Sequence, residues 1–233
     1  MAEQLFGIIG AMDSEVAYLK SQLEHVTSTR VSGMEFYKGE LAGASVVLVK
    51  CGIGKVSAAM CTQTLIDRFG VTHVINTGVA GSLDARINIG DIVVSTDAVQ
   101  HDFNVAALGY KMGQIPDLDV LAFPADRDLC SKAVDAVGRV APEVDVHEGR
   151  IASGDLFVSS MTQKIRLSQS FDAICCEMEG AAIAQVCYVS GVPFVVVRAI
   201  SDKADGSSHM DYRAFELAAA DRCARIVEEL VRQ

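Results

Sequence analysis

The sequence predicts an α/β protein built around a buried, partly parallel β-sheet. Short runs of Val and Ile alternate along the chain with segments in which apolar residues recur at helical spacing. The Val and Ile runs are nearly continuous, which is typical of strands that are covered on both faces. No internal repeat, low-complexity stretch or linker-like segment interrupts this alternation, so residues 1–233 are expected to form one domain.

In the first half of the chain the pattern predicts five strands and two helices. An apolar run at residues 5–9 stops at Gly10, and Asp13 is in position to cap the next helix. Gly70 is a favourable residue for ending the second helix. The remaining elements are two strands joined by a hairpin at residues 42–44, the second helix and two further strands, at residues 36–41, 45–50, 55–69, 73–77 and 91–97.

In the second half the pattern predicts four helices and three strands. Residues 193–200 form the most apolar strand of the chain, and the last helix, residues 211–231, carries one apolar face. The other helices are expected at residues 126–140, 161–168 and 180–190, and the other strands at residues 144–152 and 173–176. In sheets of this kind ligands bind beyond the carboxyl ends of the strands, so those ends are where a site is expected.

The composition argues against binding to nucleic acid or to membranes. The formal net charge is −10 at pH 7 and the pI is about 4.9. Such a surface repels both phosphate backbones and anionic lipids. The sequence contains no run of 18 or more uncharged apolar residues, and its first residues lack the basic region of a signal peptide.

The cysteines and histidines indicate a reducing compartment and no metal centre. There are seven cysteines, an odd number without a Cys-x-x-Cys spacing, and most lie among Val, Ile and Ala. We therefore expect buried, reduced thiols and a cytoplasmic location. The five histidines are isolated and show no ligand spacing, so no metal site is expected.

Glycines, acids and one arginine come directly after the predicted strands. Because the ends of neighbouring strands meet at one edge of a sheet, these residues are expected to converge on one rim, where the glycines allow a ligand to approach the backbone. Arg198 lies inside the most apolar strand, and a buried guanidinium without a carboxylate partner is very costly, so it should pair with a nearby acid. The strand-end segments are residues 10–15, 51–55, 76–81, 153–158, 177–180 and 198–202.

Taken singly, most of these motifs also have a purely structural interpretation. Residues 52–55 resemble a shortened phosphate loop but lack its full spacing. Residues 78–81 are compatible with a tight strand-to-helix turn. Glu177 and Glu179 are two residues apart, so on a strand they would share a face, which is more often a solvated edge. Asp202 is in position to cap a short helix.

Taken together and in order, these segments resemble the nucleosidases of the purine nucleoside phosphorylase superfamily. The resemblance is closest to the family that acts on methylthioadenosine and S-adenosylhomocysteine, and it covers nearly the whole chain. It is weakest at residues 118–146. The motifs that carry it are GIIGAM at residues 7–12 with Glu15, GIGKV at 52–56, NTGVAG at 76–81, GDIVVS at 90–95, HD at 101–102, SGD at 153–155 with Phe157, EME at 177–179, and residues 195–202.

The resemblance implies a single-domain, three-layer α/β/α sandwich around a twisted mixed sheet. It also implies a homodimer, no cofactor, and hydrolysis of the N-glycosidic bond of adenine nucleosides with a 5'-thio substituent, with 5'-deoxyadenosine as a further substrate. The segment at residues 105–116 is apolar and glycine-rich for a connection between elements, which independently favours a partner surface there.

The same resemblance implies a role for each site residue. Asp202 matches the acid that protonates adenine N7, Glu15 the residue that binds the attacking water, and Glu179 the carboxylate that holds the ribose hydroxyls. Arg198 matches the residue that orients the acid and the water. The implied substrate-binding residues are Met12, Ile53, Val79, Ala80, Gly81, Val105, Leu108, Phe157, Val158, Met178, Ser201, Tyr212 and, from the partner subunit, Pro116.

Two departures from the family pattern and two alternative functions are relevant. Val79 stands where many members have Ser, and Tyr212 and Leu108 stand where Phe is common. Phosphorylases of the superfamily need cations for phosphate, whereas residues 12–15 offer acids and Asn76 stands where phosphorylases tend to have Arg. Water is therefore the expected nucleophile. A futalosine-type hydrolase or phosphorylase, and a non-enzymatic nucleoside-binding protein, remain the alternatives.

Overall fold

Ten strands form one mixed sheet with α-helices on both faces. The computed structural model describes residues 4–203 and 208–232, with side chains throughout except at residues 208–214. The strands are β1 (Leu5–Gly10), β2 (Glu24–Val31), β3 (Met34–Leu41), β4 (Ala44–Lys50), β5 (His73–Ser82), β6 (Ile92–Gln100), β7 (Phe123–Pro124), β8 (Val146–Ser153), β9 (Ala173–Glu177) and β10 (Phe194–Asp202). The helices are α1 (Asp13–Gln22), α2 (Lys55–Thr64), α3 (Arg127–Val140), α4 (Met161–Phe171), α5 (Gly180–Ser190) and α6 (Ser208–Val231).

Five of the strands close into a ring, and four others extend it on one side. Strands β5, β10, β6, β8 and β9 pair in that order, and β9 pairs again with β5. Strands β1, β4, β3 and β2 come after β5 in the extension, and β7 pairs with β6. The pairs β1–β4, β1–β5, β5–β10, β6–β8 and β8–β9 are parallel, which confirms the predicted mixed, partly parallel sheet.

The central strands are buried on both faces, as their near-continuous apolar runs predict. In β4, Val46 and Leu48 pack on the side covered by α1, α3 and α6, whereas Val47 and Val49 pack on the side covered by α2 and α5. The result is the three-layer α/β/α sandwich that was expected. All seven cysteines are buried and carry free thiols, in agreement with the sequence.

The helix boundaries depend on local capping chemistry. Asp126 accepts a hydrogen bond from the Leu129 N–H at 2.9 Å and so begins α3. After α2 the chain makes one π-helical turn, Leu65–Phe69, and then ends at Gly70 with φ +67°, as predicted. At α1 the prediction that Asp13 is the cap was wrong. Met12 is the capping position, and Glu15 turns back to accept its N–H.

Three strand predictions also need correction. Strand β2 was not predicted, because it lies at the sheet edge and seven of its eight residues are exposed, so it has no apolar alternation. Residues 78–81 lie inside β5, which runs on to Ser82, and form no strand-to-helix turn. Strand β9 ends at Glu177, and Glu179 is the capping position of α5, so the two acids do not share a strand face.

Candidate active site

A cleft opens where the predicted strand-end segments meet. Clefts with apolar walls and a few convergent polar groups are typical of small-molecule sites. The three predicted catalytic acids and most of the predicted substrate-binding residues lie on its wall. The lining residues are Ala11, Met12, Glu15, Ile53, Val79, Ala80, Gly81, Leu156, Phe157, Val158, Cys176, Glu177, Met178, Glu179, Ser201 and Asp202.

Arg198 lies behind this wall, fully buried in β10 and surrounded by carboxylates. Its Nη2 donates to Glu177 Oε2, and Glu15 Oε1 and Glu179 Oε2 are each 3.7 Å from a guanidinium nitrogen. The same Nη2 donates to Asn76 Oδ1 at 2.6 Å. Burial lowers the pKa of Arg198, but the three carboxylates more than compensate and the net pKa is raised. The prediction that Arg198 pairs with acids is confirmed.

Glycine is required at position 78 because the side chains of Arg198 and Glu15 lie directly against its backbone. A Cβ at Gly78 would collide with both the Arg198 guanidinium and the Glu15 carboxylate. The glycine therefore lets β5 pass directly over the ion pair, which explains why a motif with Gly at this position lies beside the site.

Glu15 is held by backbone donors from the residues that follow β1 and from within β5. Its Oε2 accepts the Ala11 and Met12 N–H groups at 2.6 and 3.0 Å, and its Oε1 accepts the Val79 N–H at 3.0 Å. Burial raises the pKa of Glu15, and the field of Arg198 and these N–H groups oppose the effect only in part. The carboxylate is thus rigid, desolvated and more basic than usual, which suits a general base.

Glu179 is the capping residue of α5 and lines the same cleft. Its Oε1 accepts the Gly54 N–H at 2.8 Å, which connects it to the loop before α2. Burial and the neighbouring Glu177 carboxylate raise the pKa of Glu179 to about 7. This acid therefore titrates in the physiological range.

Asp202 is the last residue of β10 and is 3% exposed. A register shift between Ile200 and Asp202 in the pairing with β5 turns the strand end toward the cleft. Ser201 Oγ donates to Asp202 Oδ2 at 3.1 Å. Asp202 ends β10, and a short helix capped by it would fall in residues 204–207, which lie outside the described residues.

The apolar part of the wall contains the predicted aromatic residue. Phe157 lines the cleft and keeps 41% of its surface exposed, and Ile53 on the facing loop is 59% exposed. Val158 is buried beside it, and Met12 and Met178 complete the apolar surface. A planar, partly apolar ligand would cover this exposed ring.

Three predicted site residues are not brought to the cleft by this chain alone. Val105, Leu108 and Pro116 lie in the connection between β6 and β7, and none of them is among the lining residues. Leu108 is 73% exposed. A further predicted residue, Tyr212, lies outside the residues whose side chains the structure describes.

Sequence reasoning gave Glu177 no role, although it is the carboxylate in direct contact with Arg198. Glu177 also accepts hydrogen bonds from Ser153 Oγ and from the N–H groups of Glu179 and Gly180. The sequence did contain an indication of this contact, because a buried arginine requires an acidic partner and Glu177 ends an apolar strand. Ala11, Leu156 and Cys176 are the other lining residues that were not predicted.

One group of possible metal ligands lies away from the cleft. Atoms of Asp91, Asp145 and His147 are within 4.8 Å of one another, so the histidines are less isolated than their spacing suggested. Asp91 accepts the backbone N–H groups of Asn88 and Asp145 at 2.7 and 3.3 Å. We assign Asp91 a structural role in closing the turn before β6.

No helix within the described residues is long and apolar enough to cross a membrane.

The fold and the cleft define the class of the protein. A ten-stranded mixed sheet carries several buried acids, an arginine and a partly exposed aromatic ring at one rim. The model of the phosphorylase superfamily matches residues 5–232, nearly the whole chain. The match, the sheet and the rim together define a member of that superfamily.

Comparison with related proteins shows which family of the superfamily the chain belongs to. The 5'-methylthioadenosine/S-adenosylhomocysteine nucleosidase of Psychromonas ingrahamii is 44% identical over 226 residues, which is 97% of each chain. The Neisseria meningitidis nucleosidase of the same name, solved with methylthio-immucillin-A, is 39% identical and superposes with a TM-score of 0.94 over 98% of this chain and 99% of that one. The futalosine hydrolase of Helicobacter pylori strain 26695 is 34% identical, with a TM-score of 0.92 over 98% and 97%. The chain belongs to the 5'-methylthioadenosine/S-adenosylhomocysteine nucleosidase family of the superfamily, which confirms the resemblance predicted from its motifs.

Proposed function

We propose that this chain hydrolyses the N-glycosidic bond of 5'-methylthioadenosine and S-adenosylhomocysteine, and also of 5'-deoxyadenosine. The products are adenine and the 5'-substituted ribose. The observation that carries the proposal is the placement of three buried carboxylates, Glu15, Glu179 and Asp202, around one cleft that also presents the Phe157 ring. Three separate acids match the three requirements of this reaction, which are leaving-group protonation, stabilisation of the sugar cation and activation of water.

Asp202 supplies the proton to the leaving group. When the bond between C1' and N9 breaks, adenine keeps the electron pair, and a proton at N7 lets it depart as a neutral purine. Asp202 ends a rigid, fully buried strand, and Ser201 Oγ donates a hydrogen bond to it. A positioned acid of this kind accelerates such a step by about 10²- to 10⁴-fold.

Glu179 holds the ribose hydroxyls and favours positive charge on the ring. Its carboxylate is fixed by the Gly54 N–H and lies next to Met178, which forms the apolar floor under the sugar. A fixed negative charge close to C1' is worth most in the transition state, where the ring resembles an oxocarbenium ion. Glu179 acts in its ionised form.

Glu15 binds the attacking water and takes its proton as the new C1'–O bond forms. Three backbone N–H groups and Arg198 fix the orientation of its carboxylate. Arg198 also holds Glu179 through the same guanidinium, so it orients both sides of the reacting centre. Val79 contributes its N–H to Glu15 and offers no side-chain hydroxyl, which leaves water positioning to the carboxylate.

Adenine binds against Phe157, with the backbone of Val158 recognising its edge. Ala80, Gly81 and Ser201 line the same part of the cleft and allow the base to approach the ends of β5 and β10. Met12 and Ile53 face the 5'-substituent. Stacking on a partly exposed ring is favourable for any purine, so specificity for adenine comes from the backbone groups.

Water is favoured over phosphate by the charges of the wall. Among the described residues that line the cleft there are four acids and neither Lys nor Arg. The nearby Arg198 is engaged by three carboxylates, and Asn76 accepts a hydrogen bond from it instead of supplying a positive charge. A phosphate dianion would meet repulsion here. Adenine release from methylthioadenosine in phosphate-free buffer tests the proposal. The chemistry needs no metal or cofactor.

A futalosine-type hydrolase is the second candidate, because the Helicobacter pylori futalosine hydrolase covers nearly the same length with a TM-score of 0.92. The two functions share the reaction and differ in the 5'-substituent. A comparison of kcat/KM for methylthioadenosine, S-adenosylhomocysteine and aminodeoxyfutalosine separates them. Phosphate-dependent turnover would indicate a phosphorylase, and binding without turnover a nucleoside-binding protein.

A homodimer completes the cleft in this proposal. Pro116, which the resemblance assigns to the partner's cleft, lies on the same connection as Val105 and Leu108, and none of the three lines the cleft of its own chain. Helices α2 and α5 carry a second apolar surface, where Val56 is 71% and Val189 is 65% exposed. Two copies that cover these surfaces would bury them together.

We further propose that residues 1–233 act as one domain in the cytoplasm, in methionine salvage.

A further inference from the structure

Lys55 and Asp102 form a clamp beside the cleft that none of the proposed roles uses. Lys55 Nζ lies 2.6 Å from Asp102 Oδ1 and donates to Gln100 Oε1 at 3.0 Å. The two charged side chains are only 18% and 27% exposed, so the pair is better shielded from water than a surface ion pair. Burial raises the pKa of Asp102, but Lys55 and a backbone N–H outweigh it and the net pKa is lowered.

The clamp ties together two loops that carry cleft residues. Asp102 Oδ2 accepts the Asp155 N–H at 2.8 Å, and Asp155 Oδ1 accepts the Lys55 N–H at 2.8 Å. Asp155 thus caps α2 from a loop 100 residues away in sequence, and Asp102 fixes that loop in turn. Phe157 lies two residues after Asp155, so its position over the cleft depends on the same contacts.

The clamp also reaches Glu179 through one peptide unit. Gly54, which precedes Lys55, donates its N–H to Glu179 Oε1 at 2.8 Å and has φ +98°. Asp155 Oδ1 would lie 3.0 Å from a Cβ at Gly54, so glycine fits both the dihedral angle and the space. Displacement of Lys55 or Asp155 would therefore move the donor that holds Glu179.

We propose that Lys55 and Asp102 are positioning residues for the nucleosidase reaction, acting through Gly54 on Glu179 and through Asp155 on Phe157. This inference rests on the proposed function. Neither residue lines the cleft, so neither touches substrate. The clamp keeps the ribose-binding carboxylate and the adenine-stacking ring at a fixed separation, which is the geometry that the bound nucleoside requires.

The test compares Lys55→Met and Asp102→Asn with the conservative Lys55→Arg. As control, Arg139→Met removes an ion pair of similar length, 2.7 Å to Glu229, on α3. Both clamp variants should lose about 10- to 100-fold in kcat/KM for methylthioadenosine, and Lys55→Arg should recover most of the loss. Loss of the Gly54 donor raises the pKa of Glu179 further, so the acidic limb of kcat/KM should move to higher pH in both clamp variants. The groups that face Glu179 are Glu15 from α1, Cys51 after β4, Glu177 from β9 and Arg198 from β10, and all are unchanged in these variants.

Amide hydrogen exchange separates this proposal from the proposed function. In the clamp variants, peptides covering residues 52–55 and 154–158 should exchange faster than in wild type and in Arg139→Met, whatever the activity. If wild type releases no adenine, the proposed function fails while the exchange result still decides whether the clamp holds the loops. The inference is overturned if the acidic limb of kcat/KM stays at the wild-type pH in the clamp variants. It is also overturned if amide exchange in these peptides is no faster than in Arg139→Met. If Lys55→Met does not fold, the same outcomes are measured with Asp102→Asn.

Discussion

Glu15 Oε1 lies 3.7 Å from Nη1 of Arg198 in the fully buried floor of the cleft. The two residues come from the first helix and the last strand of the chain, and Gly78 passes over both without a side chain. Glu177 and Glu179 contact the same guanidinium. One cation therefore holds three carboxylates, two of which, Glu15 and Glu179, have different proposed chemical tasks, and its removal should affect both stability and turnover.

Replacement of Arg198 by Met should destabilise the fold strongly. The variant leaves Glu15, Glu177 and Glu179 buried without their common cation, and breaking such a pair typically costs about 3–5 kcal/mol. Chemical denaturation at pH 7 measures the loss in the free energy of unfolding. Arg150→Met, which removes a less buried pair with Asp97, is the control and should lose much less. Equal losses in the two variants would contradict the central place given to Arg198.

Replacement of Asp202 by Asn should remove activity and leave the fold intact. The amide keeps the shape of the carboxyl group but cannot protonate N7, so kcat should fall about 10²- to 10⁴-fold. Arg198 is paired with Glu15, Glu177 and Glu179, so the substitution leaves these ion pairs in place. Single-turnover rate and melting temperature are measured together, with adenine binding as a check on the cleft. Near-normal turnover would show that another group protonates adenine, and a large drop in melting temperature would show that Asp202 is mainly structural.

The raised pKa of Glu179, about 7, makes activity and stability respond to pH in opposite directions. Activity needs the ionised form, so kcat/KM should rise as the pH increases through about 7. The unfolded state has the lower pKa, near 4.5. Folded protein therefore binds more protons than unfolded protein between these values, and the contribution of Glu179 to stability is present below about pH 4.5 and is lost as the pH rises to 7.

Glu179→Gln tests both halves of this prediction. The amide oxygen can still accept the Gly54 N–H, and the buried charge is gone. The variant should be inactive and, at pH 8, should melt at or above the temperature of wild type. A variant that melts well below wild type at pH 8, or a kcat/KM that is flat between pH 6 and 8 in wild type, would contradict the assignment.

The proposed dimer predicts a coupled loss of assembly and substrate affinity. Val189→Arg places a charge on the exposed apolar surface of α5 and should give a monomer by light scattering, with a raised KM for methylthioadenosine. Val26→Arg, on the edge strand β2 at 45% exposure, is the matched control and should remain dimeric and active. A monomeric Val189→Arg with full activity would show that the partner contributes nothing to the cleft.

The parts of the site that could be predicted from the sequence are those next to buried strands. Apolar strands are visible as Val and Ile runs, and the polar residues directly after those runs marked the rim of the sheet. The resemblance to the nucleosidase family then selected Glu15, Glu179 and Asp202 among them. Arg198 was identifiable because its buried charge requires a partner. The identity of that partner depended on where β9 ends, and a one-residue difference in a strand end decides whether Glu177 faces the arginine or the solvent.

Other features left no signal of this kind. Strand β2 is exposed along nearly its whole length and pairs only through its backbone, so no apolar alternation marks it. The clamp of Lys55 and Asp102 joins loops 47 residues apart in sequence, and although both residues belong to motifs of the family, neither motif indicates that they pair. Such contacts are set by the tertiary fold and cannot be inferred from local patterns.

Hydrolysis by water at C1' is the central claim for this protein, and the fate of the oxygen atom tests it most directly. Methylthioadenosine is incubated with the protein in water enriched in the heavy oxygen isotope, with and without inorganic phosphate, and the sugar product is analysed by mass spectrometry. We expect adenine release at the same rate in both buffers and one heavy oxygen on C1 of the methylthioribose. Adenine release that requires phosphate, with a ribose 1-phosphate derivative as the main product, would contradict it.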